Sequence, residues 1–249
     1  FEEVPVSYYT GQPNISIPIY SKAINGDLAV NIGLSYNTQG VKINNRSGWT
    51  GTSWSLNAGG TISRTVRGLP DELVRNSGGI TGEGVFHNQD FWDYQTLTGP
   101  QKQEFLWKAG GTTQDKYDTE SDLFQFNALG VTGRFIIVRE NNSLVAKLLD
   151  KNQNIKINID YNTTTYELNK FTVIDTKGYI YTFDVKEQSS SEPFIATEYF
   201  DGNTSVSGAG DDYLSVNAWH ISTIEMPNSV NGNLVLVTFT YNNSQENYT

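Results

Sequence analysis

The chain has 249 residues, a formal net charge of −10 and no cysteine. The acidic balance argues against a nucleic-acid partner, because binding phosphates requires clustered lysine and arginine side chains. The missing cysteine excludes disulfide bonds, thiolate chemistry and cysteine zinc sites. The sequence has no apolar run long enough for a signal peptide or a membrane span, so membrane insertion is not expected.

Alternating apolar and polar residues, rich in Val, Ile, Thr, Tyr and Phe, predict an all-β fold. The predicted strands are 15–19, 28–36, 54–66, 123–127, 134–139, 144–149, 155–161, 171–175, 179–185, 195–200, 219–225 and 234–241. Because turn residues separate most of them, we expect an antiparallel hairpin meander.

The clearest hairpin connection is residues 175–178, where Asp175 can cap the turn and Gly178 can take a positive φ. In the strand that follows, Tyr179, Tyr181 and Phe183 are expected to share one face. Residues 127–133 and 150–154 predict two more hairpin connections.

Residues 82–122 interrupt this pattern. The stretch mixes aromatic residues with Gly-Pro and Gly-Gly breaks and shows no strand alternation, so a short irregular or helical insertion is predicted. Residues 189–192 and 202–212 are predicted to be polar loops. The chain as a whole, 1–249, is interpreted as a single β-rich leading segment of a longer protein, consistent with a start at Phe1 instead of methionine.

The most specific run lies between residues 48 and 64 and combines paired tryptophans, glycines and a basic strand end. Its defining residues are Gly48, Trp49, Gly51, Trp54, Leu56, Gly59, Gly60 and Arg64. We expect Trp54 and Leu56 to be buried on one strand face. Gly59 and Gly60 are expected to allow a tight turn or a close backbone approach.

Two segments precede this run in a fixed order: a strand ending in Ile17-Pro18-Ile19, then an aliphatic strand ending in Leu-Ser-Tyr at 34–36. Together the three pieces resemble the opening of RHS/YD-repeat proteins, in particular the large secreted RHS-like proteins of Bacteroidota. The resemblance continues more loosely through 118–127, 171–183 and 218–224. Two departures are the polar pair Thr52-Ser53 and the absence of any run of YD-type repeats.

The resemblance implies a function as well as a fold. RHS/YD-repeat proteins wind β-sheet ribbons into a hollow shell around a C-terminal toxin or effector, and their N-terminal segments help to close or plug it. The chain is therefore expected to be a non-enzymatic structural part of an RHS-type β-shell. Its expected partners are the remainder of its own chain, the enclosed effector and an outer-membrane secretion translocon. The expected location is secreted or cell surface, through type IX secretion.

Catalytic and metal-binding patterns are weak. His87 and His220 are far apart and fit no metal motif, and Ser53 and Ser55 do not form a Gly-x-Ser-x-Gly nucleophile elbow. The carboxylates that could in name form a glycosidase pair are Asp71, Glu72, Glu198, Asp201, Asp211 and Asp212. The acidic loops after residue 200 could supply calcium ligands but match no known loop pattern. No catalytic, cofactor-binding or metal-binding residue is predicted.

The aromatic residues leave a second function open. Trp54 and Trp219 lie in apolar strands and are expected in the core, whereas Trp49, Trp92 and Trp107 are undecided. If the insertion presents its aromatic rings, the chain would be a cell-surface adhesin or a glycan-binding β-module with residues 91–107 as contact surface. A glycosidase is the more distant third alternative.

Overall fold

The computed structural model describes residues 6, 13, 15–26, 28–36, 50–77, 80–110, 116–150, 154–191, 196–200, 203–207, 213–228 and 232–242. The strands are β1 (Ile15–Asn25), β2 (Leu28–Tyr36), β3 (Trp54–Ala58), β4 (Gly60–Thr65), β5 (Val74–Ser77), β6 (Ile80–Glu83), β7 (Lys116–Tyr117), β8 (Leu123–Ala128), β9 (Val131–Glu140), β10 (Ser143–Leu148), β11 (Lys156–Tyr161), β12 (Leu168–Ile174), β13 (Ile180–Ser191), β14 (Ala196–Phe200), β15 (Asn203–Ser207), β16 (Tyr213–Asn228) and β17 (Gly232–Thr238). The helices are α1 (Gln89–Trp92) and α2 (Gly99–Ala109). The all-β prediction with a short helical insertion is confirmed.

The largest sheet is a nearly closed antiparallel barrel. Its strand order is β10-β9-β8-β4-β16-β13-β12-β11, and β17 pairs with the C-terminal half of β16. The two end strands lie close together: the backbone N–H of Leu144 in β10 donates a 3.0 Å hydrogen bond to the Tyr161 hydroxyl in β11. Closure of this kind removes most of the exposed edges of a sheet.

Aromatic side chains fill the barrel. Phe124 stacks on Phe135 at 5.1 Å between ring centroids, and Phe171 meets the Trp219 ring edge-on at 4.9 Å. All four side chains are fully buried, so the prediction for Trp219 is confirmed. Close packing of such large rings buries apolar area that stabilises the barrel.

The hairpin between β12 and β13 is confirmed. The Asp175 side chain accepts hydrogen bonds from the backbone N–H groups of Lys177 and Tyr179, and Gly178 has a φ of +84°. Tyr179, Tyr181 and Phe183 are all buried, so they share the core face as predicted.

The predicted strand 54–66 is wrong in one respect, since it is two strands in two sheets. β3 pairs with β2 in a separate three-stranded sheet, whereas β4 lies between β8 and β16 in the barrel. The chain changes sheets at Gly59, whose φ of +81° is strained for a residue with a side chain. A Cβ atom on Gly59 would lie 2.9 Å from the Ile221 side chain, and one on Gly60 would lie 2.7 Å from the Ala128 Cβ. Both the tight turn and the close approach are therefore present.

The segment between β4 and β8 caps one end of the barrel. Both helices lie within it, as predicted for the insertion, but it also contains a small sheet of β5, β6 and β7 that the sequence patterns did not indicate. Phe86 of this segment is fully buried in the core, where its ring meets Tyr166 of the β11–β12 turn. We call this the capped end of the barrel.

Three further predictions need correction. Residues 189–191 continue β13 and 203–207 form β15, because both segments pair with neighbouring strands. The strand order departs from a consecutive meander where β4 enters between β8 and β16. Residues 150–154, of which 151–153 lie outside the described residues, come between β10 and β11, the two end strands of the sheet, which do not form a backbone ladder with each other. Local turn chemistry cannot distinguish such a connection from a hairpin.

Candidate functional site

Arg64 is the centre of a buried ionic cluster. It is the last residue of the run at 48–64, which we call the tryptophan–glycine run. Gly60, Ile62 and Arg64 alternate along β4 and all face the interior, so strand geometry turns the arginine inward at the capped end. Its guanidinium lies 5.6 Å from the centroid of the Phe124 ring. A buried guanidinium needs partners, because desolvating an unpaired charge costs several kcal/mol.

Two carboxylates supply those partners. Arg64 Nε donates to Asp122 Oδ2 at 2.7 Å, and its two terminal nitrogens donate to the two oxygens of Glu72 at 2.8 and 2.6 Å. The Asp122 side chain is fully buried, and Glu72 is only slightly exposed. The bidentate geometry is the strong form of a charge-assisted hydrogen bond.

Asp71 completes the cluster. The backbone N–H of Asp122 donates to both Asp71 oxygens at 3.2 Å, and the backbone N–H of Asp71 donates back to Asp122 at 3.1 Å. Burial raises the pKa of Asp71 to about 9, and the charge of Asp122 adds to the rise. Asp71 is therefore neutral at pH 7, which avoids a third negative charge beside one guanidinium. We call Arg64, Asp71, Glu72 and Asp122 the Arg64 cluster.

Backbone groups around the cluster hold the cap in place. Asp122 also accepts from the backbone N–H of Arg67 at 2.8 Å, and Asp118 accepts from the backbone N–H of Leu69 at 2.8 Å. The Phe86 N–H donates to the Asp71 carbonyl at 2.9 Å, which links the buried phenylalanine to the same loop. The cluster thus joins the end of β4, the loop after it and the segment that precedes β8.

This arrangement connects the cap to the barrel. Asp71 and Asp122 are inaccessible, and the oxygens of Glu72 are occupied by Arg64. Glycosidase carboxylates, by contrast, face each other across a space that admits a sugar ring. Asp71 and Glu72 were candidates for such a pair by residue type, but they do not face each other across an open space.

Two clefts open at opposite ends of the barrel. The larger, about 440 Å³, lies at the end away from the cap, between the β8–β9 and β12–β13 turns. Its buried polar groups are already paired: Tyr181 donates to Asp175 at 3.0 Å, and Tyr179 donates to the Asn25 carbonyl at 3.2 Å.

The smaller cleft, about 360 Å³, lies at the capped end. Its lining residues are Gln89, Trp92, Asp93, Arg139, Asn141 and Asn142, and we call it the Arg139 cleft. The Nε atom of Arg139 is buried and has no hydrogen-bond partner among the described residues.

The other residues of the tryptophan–glycine run lie away from both clefts. Gly51 turns the chain with a φ of +101°, and the Trp54 ring packs on Tyr36 at 5.1 Å between centroids. Trp54 and Leu56 are only half-buried, so the prediction that they are core residues is wrong. The reason is that β3 belongs to the separate three-stranded sheet of β1, β2 and β3, which we call the peripheral sheet. Gly48 and Trp49 lie outside the described residues.

The remaining candidates from the sequence are dispersed. His220 lies on the outer face of β16, where Nδ1 is 3.1 Å from the Thr61 hydroxyl and Nε2 is 2.9 Å from Glu187. The hydrogen bond with His220 lowers the pKa of Glu187. His87 Nε2 lies 2.9 Å from the Glu72 carbonyl oxygen. The side chain of Glu198 is not described, and Asp201, Asp211 and Asp212 lie outside the described residues.

Sequence reasoning missed the residues that matter most at the capped end, namely Asp118, Asp122 and Arg139. The first two lie in a stretch that drew notice only for its family resemblance. Arg139 lies at the end of an ordinary strand and gave no signal. An inward-facing arginine at position 64 could have been inferred from the alternation of Gly60 and Ile62.

Comparison with known proteins identifies no relative. No family model matches the chain, and no curated protein or solved structure matches it. Within the part of the chain that the structure describes, no helix is long and apolar enough to cross a membrane. The same residues contain no group of three or more histidine and acidic side chains placed to hold a metal ion.

Proposed function

We propose that this chain is a non-enzymatic structural segment of a secreted RHS-like shell protein of Bacteroidota type, and that the shell encloses or presents a C-terminal effector. In this proposal the barrel is a folded unit whose outlying strands pair with other strands of the same protein. The resemblance of residues 48–64 and of the strands before them to that family suggests the identity.

The observation that carries the proposal is the exposure of β1. This strand has eleven residues and pairs with β2 along one edge, while Ile17, Ile19 and Tyr20 are all exposed, Ile19 by 58%. Long exposed strands with aliphatic side chains are normally covered in a stable protein, because they recruit other strands. Pro18 fits an edge position, since proline cannot donate to a ladder on either side.

A second apolar strand supports the proposal that outlying strands pair with other strands of the same protein. β17 pairs with β16, and Leu234 and Val235 are exposed, Val235 by 51%. A neighbouring strand laid against β17 would cover these side chains, and burial of apolar area at about 25 cal/mol per Å² would favour that contact. Leu236 and Val237 of β17 pack against the core, so the exposed part of this strand is its N-terminal half.

A non-enzymatic role agrees with the chemistry of the capped end. The carboxylates of the Arg64 cluster accept hydrogen bonds from the buried guanidinium and from backbone N–H groups. The two histidines have separate partners: His220 is hydrogen-bonded to Thr61 and Glu187, and His87 to the backbone carbonyl of Glu72 instead of a cluster carboxylate.

Self-association of the isolated protein tests the exposed strands. We expect the wild-type protein to associate with rising concentration in sedimentation velocity, and Ile19→Lys or Val235→Lys to reduce that association. Gln103→Lys, on the exposed face of α2, is the control, because it makes the same change in net charge away from both strands. A stable monomer at all concentrations would contradict the proposal and favour a self-contained module.

The native protein tests the identity. An antibody against the barrel should detect a species much larger than 27.7 kDa in cultures of the producing organism. This species should be recovered outside the cells or bound to an outer-membrane translocon. Recovery only in the cytoplasm, at the mass of this chain, would contradict secretion and the shell together.

A cell-surface adhesin or glycan-binding β-module is the second candidate function. The observation that favours it is on α2, where Leu106 and Trp107 are exposed, Trp107 by 62%. Trp92, in contrast, is half-buried and donates its indole N–H to the Val85 carbonyl at 2.8 Å. Glycan binding that is lost in Trp107→Ala and retained in Trp107→Phe would support this candidate.

A further inference from the structure

The peripheral sheet has one apolar side and one polar side, because residues that pair directly across strands point the same way. The paired residues on one side, which we call the apolar face, form three rows: Ile15, Tyr36 and Trp54; Ile17, Leu34 and Leu56; and Tyr20, Ile32 and Ala58. The rows on the other side are Ser16, Ser35 and Ser55, then Pro18, Gly33 and Asn57. A sheet divided in this way packs its apolar side against another layer.

The polar side is complete without such a layer. The hydroxyls of Ser35 and Ser55 lie 2.8 Å apart, and the Asn57 amide donates to the Ser35 hydroxyl at 3.1 Å. The Ser21 hydroxyl donates to the Asn31 side-chain oxygen at 2.6 Å. These bonds link the three strands on the side that faces water.

The apolar face is already an interface at one end. Its stripe along β2 begins with Leu28 and Val30, which are 5% and 7% exposed, and Leu28 belongs to the barrel core. Two side-chain bonds hold this end on the barrel: the Tyr179 hydroxyl donates to the Asn25 carbonyl at 3.2 Å, and the Asn25 amide donates to the Met226 sulfur at 3.4 Å. The sheet therefore places the first part of its apolar face on the barrel.

The rest of the apolar face extends beyond this contact. Ile32, Leu34 and Leu56 are half-buried, and among the described residues they neither belong to the barrel core nor pack against it. At the β1 end of the rows, Ile17 and Tyr20 are 47% and 52% exposed. Contiguous apolar surface of this kind marks a contact with another layer.

Charge and size select what covers this surface. The three rows contain no charged residue, so an ionic partner would find no counter-charge in them. Three strands about 4.8 Å apart, with about five residues on each, give a face of about 14 by 17 Å, or roughly 240 Å². A stable dimer needs about 800 Å² from each partner, and a second copy would bring another net charge of −10. A partner in the same polypeptide needs less area, because its effective concentration is high.

We infer that the apolar face is covered by the apolar side of a further β-sheet of the same polypeptide, outside residues 1–249 and packed about 10 Å away. This inference rests on the proposed function, which makes the chain a segment of a longer protein. The proposed function concerns the edges of β1 and β17, whereas this contact uses the face that β1, β2 and β3 form together.

Cysteine labelling tests this contact. The chain has no cysteine, so Leu56→Cys on the apolar face and Ser55→Cys on the polar side each introduce one thiol into it. Each variant is made in the isolated chain and in the full-length protein, and mass spectrometry of the peptide around residue 55 measures its rate of reaction with a maleimide. Leu56→Cys should react about tenfold or more slowly in the full-length protein, because a covered thiol reacts only when the layers open. Ser55→Cys should react equally fast in both proteins.

Neighbouring residues of one strand separate face packing from edge pairing. A strand that pairs with an edge of the peripheral sheet flanks both sides, so it would slow Leu56→Cys and Ser55→Cys alike. Leu34→Cys and Ser35→Cys repeat the comparison on the central strand and should give the same contrast. Thermal unfolding of the isolated variants checks that each one is folded.

Equal rates for Leu56→Cys in the isolated and full-length proteins would overturn the inference and leave the shell proposal intact. Protection that appears in the isolated chain as its concentration rises would also overturn it, because the partner would then be a second copy. A native protein of only 27.7 kDa would instead reject the proposed function, and this inference with it.

Discussion

Arg64 and Asp122, which are 58 residues apart in sequence, are joined by a 2.7 Å hydrogen bond from Nε to Oδ2, and both side chains are fully buried. The bond ties the end of β4 to the residue that precedes β8, two strands that are neighbours in the barrel. Because the intervening segment carries the cap, this pair joins the two ends of the cap to each other.

Arg64→Met should destabilise the protein by about 3 to 5 kcal/mol, because it leaves the buried Asp122 carboxylate without its counter-charge. Urea unfolding monitored by circular dichroism measures the loss. Arg67→Met is the control: Arg67 pairs with Glu120 at 3.5 Å on the surface, and such pairs contribute about 0 to 1 kcal/mol. Similar losses in the two variants would show that the buried pair has no special role.

Stability should fall as the pH rises because of Asp71. Its folded-state pKa of about 9 lies above the unfolded value near 4, so between these values the folded state holds a proton that the unfolded state has released. The free energy of unfolding attributable to this group therefore decreases through that window, by up to about 1.4 kcal/mol per pH unit, and is constant outside it.

Asp71→Asn tests this pH dependence, since the amide oxygen can still accept from the Asp122 N–H. The variant should lose the Asp71 contribution to the slope and should be more stable than the wild type near pH 9, as read from urea unfolding at several pH values. Equal slopes for the two proteins would contradict a neutral Asp71.

Gly59→Ala should destabilise the protein by about 2 to 4 kcal/mol, through a strained φ and a clash with Ile221 and Phe239. Gly130→Ala is the matched control. Gly130 has a φ of +90° but nothing within 4 Å of an added Cβ, so only the backbone strain applies and about 1 to 2 kcal/mol is expected. Thermal melts of the two variants separate backbone strain from overpacking. A smaller loss of stability for Gly59→Ala than for Gly130→Ala would contradict the close packing of Gly59 against Ile221 and Phe239.

Trp219→Ala should cost about 3 to 5 kcal/mol, the range for deleting a large buried side chain. Trp54→Ala should cost less, about 1 to 2 kcal/mol, because its ring is half-buried in the peripheral sheet. Chemical denaturation of both variants checks the order. A larger loss at Trp54 would mean that the peripheral sheet, and not the barrel, supplies the main stability.

Features that depend on a few neighbouring residues followed from the sequence. Alternation located most of the strands, and the Asp175 cap with Gly178 specified the β12–β13 hairpin, because the groups that make that turn lie within five residues of one another. The same local logic located the helical insertion and placed Tyr179, Tyr181 and Phe183 on one face. Such contacts need no information about the rest of the chain.

Only the tertiary structure decided which sheet each strand joins. Trp54 and Trp219 occur in similar apolar strands, yet one is peripheral and the other is fully buried, because the chain changes sheets at Gly59. Alternation along β4 turns Arg64 inward, but it cannot reveal that Asp122 and Glu72 receive it. Pairings across tens of residues depend on how all strands close around one core, and that competition leaves no local trace in the sequence.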